Sequence, residues 1–174
     1  MRQMNAWRRA IAFGLCIAGS ILLSACKGYQ LTFNETVVRS PAPLYTNFQV
    51  ADRNLQVCLD QAIKDAEATA PDQLIQLNCS HAGIETLEGL QAFHNLQQIN
   101  LSHNQLSDLK PLGQMGRVQL LLLSNNNLKS IPEILTLPRL ERLELDNNSE
   151  LYCDDVHQLQ QNYKGELAMP THCR

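Results

Sequence analysis

Aromatic side chains are scarce in this 174-residue chain, at 5% of residues, so its core must be built from aliphatics. Basic residues are not in excess either: 14 Lys and Arg stand against 17 Asp and Glu, a formal net charge of −3. With no such excess to neutralise phosphates, nucleic acid is not expected as a partner. There is no serine elbow, glycine-rich phosphate loop, metalloprotease helix or thiol set beside a base. The chain therefore offers catalysis no residues to use, and no cofactor or small-molecule substrate is expected. What is plentiful is apolar. Hydrophobic residues reach 44%, too many for a disordered chain, and the length allows one ordinary domain plus a targeting segment.

The one long apolar run, Ala10 to Leu23, follows Arg2, Arg8 and Arg9 and ends in Ser24-Ala25-Cys26. A basic start, a short greasy middle and a small-residue end have the plan of a secretory signal. As a helix the run would rise only about 21 Å, short of a hydrocarbon core of roughly 30 Å, which disfavours an anchoring span. Its last four residues, Leu23-Ser24-Ala25-Cys26, resemble the bacterial lipoprotein signal motif. That resemblance implies cleavage after Ala25 and acylation of Cys26, and two or more acyl chains would hold the chain stably to a membrane. It also implies a cell-envelope location. Lys27 stands where inner-membrane retention usually shows Asp, which points to the outer membrane if the source is diderm. A conventional signal that frees a soluble protein is the alternative. Cleavage would leave 11 basic against 17 acidic residues, or −6, so charge would not bind the chain to anionic lipid. Cys16 would leave as well, and Cys58, Cys79, Cys153 and Cys173 would remain as material for two disulfides in an oxidising compartment.

The remainder repeats with a period of 22. The segments Leu74-Ile-Gln-Leu77-Asn-Cys79, Leu96-Gln-Gln-Ile99-Asn-Leu101, Val118-Gln-Leu-Leu121-Leu-Leu123 and Leu140-Glu-Arg-Leu143-Glu-Leu145 begin 22 residues apart each time. Each continues about ten positions on with another aliphatic, Ile84, Leu106, Leu128 or Leu151, and the later copies carry Asn104, Asn126 and Asn148 just before it. Alternation puts the three aliphatics of each copy on one side of a short strand. An asparagine amide, both donor and acceptor, can satisfy the backbone of the buried turn that follows. Stacked copies make a parallel sheet over a leucine slab, and Pro111, Pro132 and Pro138 favour extended or 3₁₀ returns over long helices.

This pattern resembles the leucine-rich repeat family in its short, internalin-like bacterial form, over residues 74–151. The resemblance implies an α/β solenoid of four coils with a concave parallel sheet and a cap at each end. The expected organisation is a signal peptide over 1–25, a tether with a short β extension over 26–51, and a helical cap over 52–73. The repeats follow over 74–151, and a C-terminal cap over 152–174. Copy one has Ala82 where the others have asparagine, so its turn must be satisfied some other way. In the first cap, Leu55, Cys58, Leu59, Ala62, Ile63 and Ala66 follow helical spacing, Asp52 can cap the start and Pro71 stops continuation. Cys58 on that apolar face and Cys79 at an inward strand position make one expected disulfide, with two buried free thiols as the alternative. Similarity to extracellular repeat caps implies the other, Cys153 to Cys173. Upstream, Tyr29 to Val38 reads as a small strand or hairpin laid against the first coil, with a flexible spacer as the alternative.

Outward strand positions form the concave face, the surface that solenoids use for binding. There Leu120 and Leu122 break an otherwise polar pattern, with Gln98 and Asn100 on one side and Arg142 and Glu144 on the other. An apolar anchor in a polar rim is the form of a protein-binding site, although exposed leucines are also common without function. His81 and His103 fall at equivalent positions in adjacent copies, but two imidazoles fall short of a zinc set, so no metal is expected. The leading reading is a membrane-tethered, non-enzymatic module that binds a protein partner through this face. An envelope scaffold without a dedicated ligand face is the alternative.

Overall fold

The computed structural model describes residues 41–174 in full and, before them, the backbone of two strands, Leu31–Phe33 (β1) and Thr36–Arg39 (β2). The expected leader and Cys26 lie outside the described residues. β1 and β2 pair antiparallel, Thr32 opposite Val37 and Phe33 opposite Thr36. The chain falls into two compact units divided between Ala42 and Pro43, and this hairpin belongs to the first. Among the described residues no helix is long and apolar enough to cross a membrane.

The second unit is a solenoid. Strands β3 (Gln76–Asn78), β4 (Gln98–Asn100), β5 (Leu120–Leu122) and β6 (Arg142–Glu144) lie side by side in parallel. Their register equals the sequence period: Leu77 sits beside Ile99, Ile99 beside Leu121, and Leu121 beside Leu143. These four inward side chains are at most 2% exposed. The coils return through 3₁₀ turns at Leu90–Phe93, Lys110–Gln114 and Ile134–Thr136, as Pro111 and the flanking Pro132 and Pro138 dispose them to.

A 13-residue helix, α1 (Arg53–Asp65), precedes the coils and buries Leu55, Leu59 and Ile63 against them. Pro71 does not end it. The helix stops at Asp65, six residues earlier, in a Schellman turn, where Glu67 takes φ 49° and the Ala68 and Glu67 N–H groups donate to the Ile63 and Lys64 carbonyls. Residues 43–51, placed with the tether in the sequence reading, pack on this unit. The Tyr45 N–H donates to the Ala68 carbonyl, and Phe48 meets Phe93 edge to face at 5.0 Å. Gly89, at φ 97°, lets that segment pass: a Cβ there would sit 2.5 Å from the Gln49 carbonyl oxygen.

At the other end stand α2 (Cys153–Asn162) and a fifth strand, β7 (Glu166–Ala168), parallel to β6. Four repeats predict four strands, and the sheet has five. β7 extends the sheet because Leu167 takes the place beside Leu143 that a further coil would fill, with Glu166 beside Arg142. Disulfides join Cys58 to Cys79 and Cys153 to Cys173.

Candidate functional site

The concave face is ruled by two rows of outward side chains set by the parallel register. One runs Gln76, Gln98, Leu120, Arg142, Glu166, and the other Asn78, Asn100, Leu122, Glu144, Ala168. The face is held still from behind by the asparagine ladder. Asn126 accepts from the Leu106 N–H and donates to the Leu101 and Leu123 carbonyls, and Asn148 repeats the pattern one coil on. Each amide thus serves the coil before it as well as its own. Asn104 does the same for coil one, accepting from the Ala82 and Ile84 N–H groups and donating to the Cys79 carbonyl. That is why Ala82 suffices in the first copy: the bridge is supplied by the second.

Leu120 and Leu122 do not stand out into water as the alternation alone suggests; both are half-buried. Their in-register neighbours are polar: Gln98 and Arg142 flank Leu120, and Asn100 and Glu144 flank Leu122. Arg142 is fixed there by Glu144, whose carboxylate accepts from its Nη2 at 2.6 Å and from its Nε at 3.2 Å. That hydrogen bond, then the Glu144 charge, with a smaller pull from Glu166, holds the Arg142 pKa above its ordinary value. Ser102, which follows Asn100 at the next outward position by alternation, is only 9% exposed.

Two clefts share this face. The larger, about 940 Å³, opens between α1 and the first three strands. Val57, Gln61 and Asp65 of α1 form one wall, and Ile75, Gln76, Asn78, Gln98, Asn100 and Leu120 the other side. The smaller, about 570 Å³, is lined by Gln98, Leu120, Arg142, Lys164 and Glu166. Leu120 and Gln98 line both, while Leu122 lines neither. Alternation identified Leu120, but it gave no warning of the α1 wall. The signal available was Val57, an aliphatic off the buried stripe of the helix and 61% exposed, and Ile75, 37% exposed, lines the same cleft.

His81 and His103 do meet: their rings stack at 4.0 Å, inclined by 14°. With Asn125 and Asn147 they occupy the same left-handed turn position in successive coils, at φ 57–59°. Asn125 continues the file at 3.4 Å from His103 Nε2, and Asn147 donates to Asn125 at 3.1 Å. The shared backbone conformation explains why asparagine can replace histidine there. Among the described residues one trio, Cys153, His172 and Cys173, has its donor atoms within 4.8 Å of one another. Its two sulfurs are bonded to each other, and His172 Nε2 lies 3.0 Å from the Leu151 carbonyl.

These rungs and ladders decide the architecture. The chain is a leucine-rich repeat solenoid. A family model described as leucine rich repeats, in two copies, matches residues 72–114. Among solved structures the chain is similar to internalin C2 of Listeria monocytogenes, at 26% identity and a TM-score of 0.59 over 68% of this chain and 54% of that one. It also resembles an internalin F structure from the same species, at 21% identity and a TM-score of 0.50 over 59% and 35% of the two chains, a likeness of fold alone. The chain thus spans about half the length of the internalin C2 structure. No curated protein matches it.

Proposed function

We propose that this chain is a lipoprotein tethered to the bacterial envelope through acylated Cys26, in the outer membrane if the source cell is diderm. Its concave face binds a protein without chemistry of its own. The observation that carries the reading is Leu120: an apolar side chain at the junction of two clefts, rimmed by Gln98 and Arg142, is the form that interface anchors take. The solenoid architecture supports it, because a regular stack offers one continuous concave surface and little else for a partner to grip. The likeness to internalin C2, a bacterial protein, supports the repeat module as such. The motif Leu23-Ser24-Ala25-Cys26 supports the tether. Five strands about 4.8 Å apart span only about 19 Å, so the contact falls at the small end of specific interfaces and engagement is weak or multivalent.

The test is to express the full chain, confirm acylation of Cys26 by mass spectrometry, and cross-link it in the native envelope with and without Leu120→Ser and Leu122→Ser. The expected result is loss of the captured protein at an unchanged melting temperature. Capture that survives both substitutions would reject the concave face as the binding surface and leave a scaffold role.

A further inference from the structure

Resting on that reading, we propose that the cleft between α1 and the first three strands receives a short, extended, basic segment of the partner carrying at least one apolar side chain. Three features of the cleft select this occupant. Its lining is greasy: Val57 and Ile75, 61% and 37% exposed, and the half-buried Leu120 all border it. Its charge has one sign. Asp65 is the single ionised residue in its lining, and the stretch of chain from 52 to 88 that supplies α1 and the first coil holds seven acids against Arg53 and Lys64. A cation laid beside Asp65 would meet no competing lysine or arginine in the lining, whereas an anion would be repelled.

Asp65 is also placed against the interest of its own helix. It is the last residue of α1, where the helix dipole disfavours a carboxylate, and Gln61 holds it in position by donating to Oδ1 at 2.7 Å. The floor supplies the third feature. Asn78 and Asn100 accept from the Ser80 and Ser102 N–H groups through Oδ1. Beside them lie the Gln76 and Gln98 amides, for which the described residues show no side-chain hydrogen bond. Neutral groups that both donate and accept suit the peptide backbone of an extended segment. The α1 wall from Asn54 to Asp65 rises about 16 Å, room for roughly five extended residues.

The probes are three fluorescein-labelled heptapeptides, alternating lysine–leucine, glutamate–leucine and lysine–serine, titrated into the full chain by fluorescence anisotropy. The lysine–leucine peptide should bind at least tenfold more tightly than either other peptide, and weaken in 0.5 M salt. Asp65→Lys removes the dipole conflict, so it should melt no lower than the parent while reversing the preference between the first two peptides. Val57→Ser should erase most of the advantage of leucine over serine. Equal binding of all three, or a preference unchanged by Asp65→Lys, would overturn the proposal. Benzoylphenylalanine in place of Val57 should photo-cross-link to the lysine–leucine peptide; cross-links instead to residues 27–42 or to a second copy would assign the cleft to those occupants and also overturn it. Envelope capture separates the two levels. Capture lost with Leu120→Ser but kept, with no peptide preference, in Asp65→Lys would sink this cleft and spare the concave face; capture indifferent to both would sink both.

Discussion

At its N-terminal end the coil stack is closed by a 13-residue helix, the Cys58–Cys79 bridge and Asp52; at its C-terminal end by a 10-residue helix, the Cys153–Cys173 bridge and Asp155. The two aspartates work alike. Asp52 caps α1 through Oδ1 and accepts from the Glu85 and Thr86 N–H groups of coil one through Oδ2. Asp155 accepts from the Ser130 hydroxyl and the Ile131 N–H of coil three. The surfaces that result differ. The C-terminal cap spends three residues on β7 and so continues the sheet, with Arg174 pinned to Asp146 and to the Met169 carbonyl. The N-terminal cap adds no strand, and α1 turns its spare stripe over the concave side to make a cleft. A solenoid end can therefore be sealed with the same parts and yet yield either more platform or a wall.

The largest effect that probes this comparison comes from the bridges. Their sequence separations are 21 and 20, so the chain-entropy model assigns each about 3 kcal/mol and the pair on the order of 6. Urea unfolding with and without reductant should show that loss. Removing one pair at a time, as Cys58→Ala with Cys79→Ala and then Cys153→Ala with Cys173→Ala, should give nearly equal costs. A markedly greater cost at one end would mean that its helix depends on the bridge for docking as well as for chain entropy.

Next in size are the helix anchors. Leu59 is fully buried, with Leu55 and Ile63 on the same stripe, while Leu159 is 4% exposed and shares its helix face with Val156 alone. Leu59→Ala should cost about 3 kcal/mol and Leu159→Ala about 2, since the looser site can relax around the gap. Denaturant midpoints at constant slope measure both. If Leu159→Ala proves the costlier, the C-terminal helix is the firmer lid and the asymmetry drawn from burial is reversed.

The ends also mark where reading the sequence stopped. The coils were legible because a parallel stack repeats its demands at every rung: Leu77, Ile99, Leu121 and Leu143 must each fill the same slot, and a 22-residue period records it. Alternation likewise singled out Leu120. β7 was hidden because an end rung has only one neighbour to satisfy; Glu166-Leu-Ala lies 24 residues after Arg142, outside the period, and carries one inward leucine in place of three. The α1 wall was hidden for another reason. Helical spacing tells which stripe of α1 is buried, but where its other stripe overhangs depends on the docking of the whole helix. Asp52 was readable as a cap because that bond is local, whereas its hold on Glu85 and Thr86 spans 33 and 34 residues.

That long-range hold carries the smallest and most specific effect, a dependence on pH at the N-terminal end. Burial alone would raise the Asp52 pKa, but the N–H groups of Glu85, Leu55, Thr86 and Asn54 together outweigh it and hold the carboxyl below its ordinary value. The folded state then gives up this proton at lower pH than the unfolded chain does. The resulting stability is fully present above the unfolded value of about 4, and is lost as pH falls through the lower, folded one. Asp52→Asn should cost about 1–2 kcal/mol at pH 7, because an amide can keep the helix cap through its oxygen but turns a donor toward the Glu85 and Thr86 donors. The melting-temperature gap between parent and variant should stay flat from pH 7 to 5 and narrow below pH 4. A gap that held constant down to pH 2 would show that the charge of Asp52 contributes nothing, and that its shape alone ties α1 to the first coil.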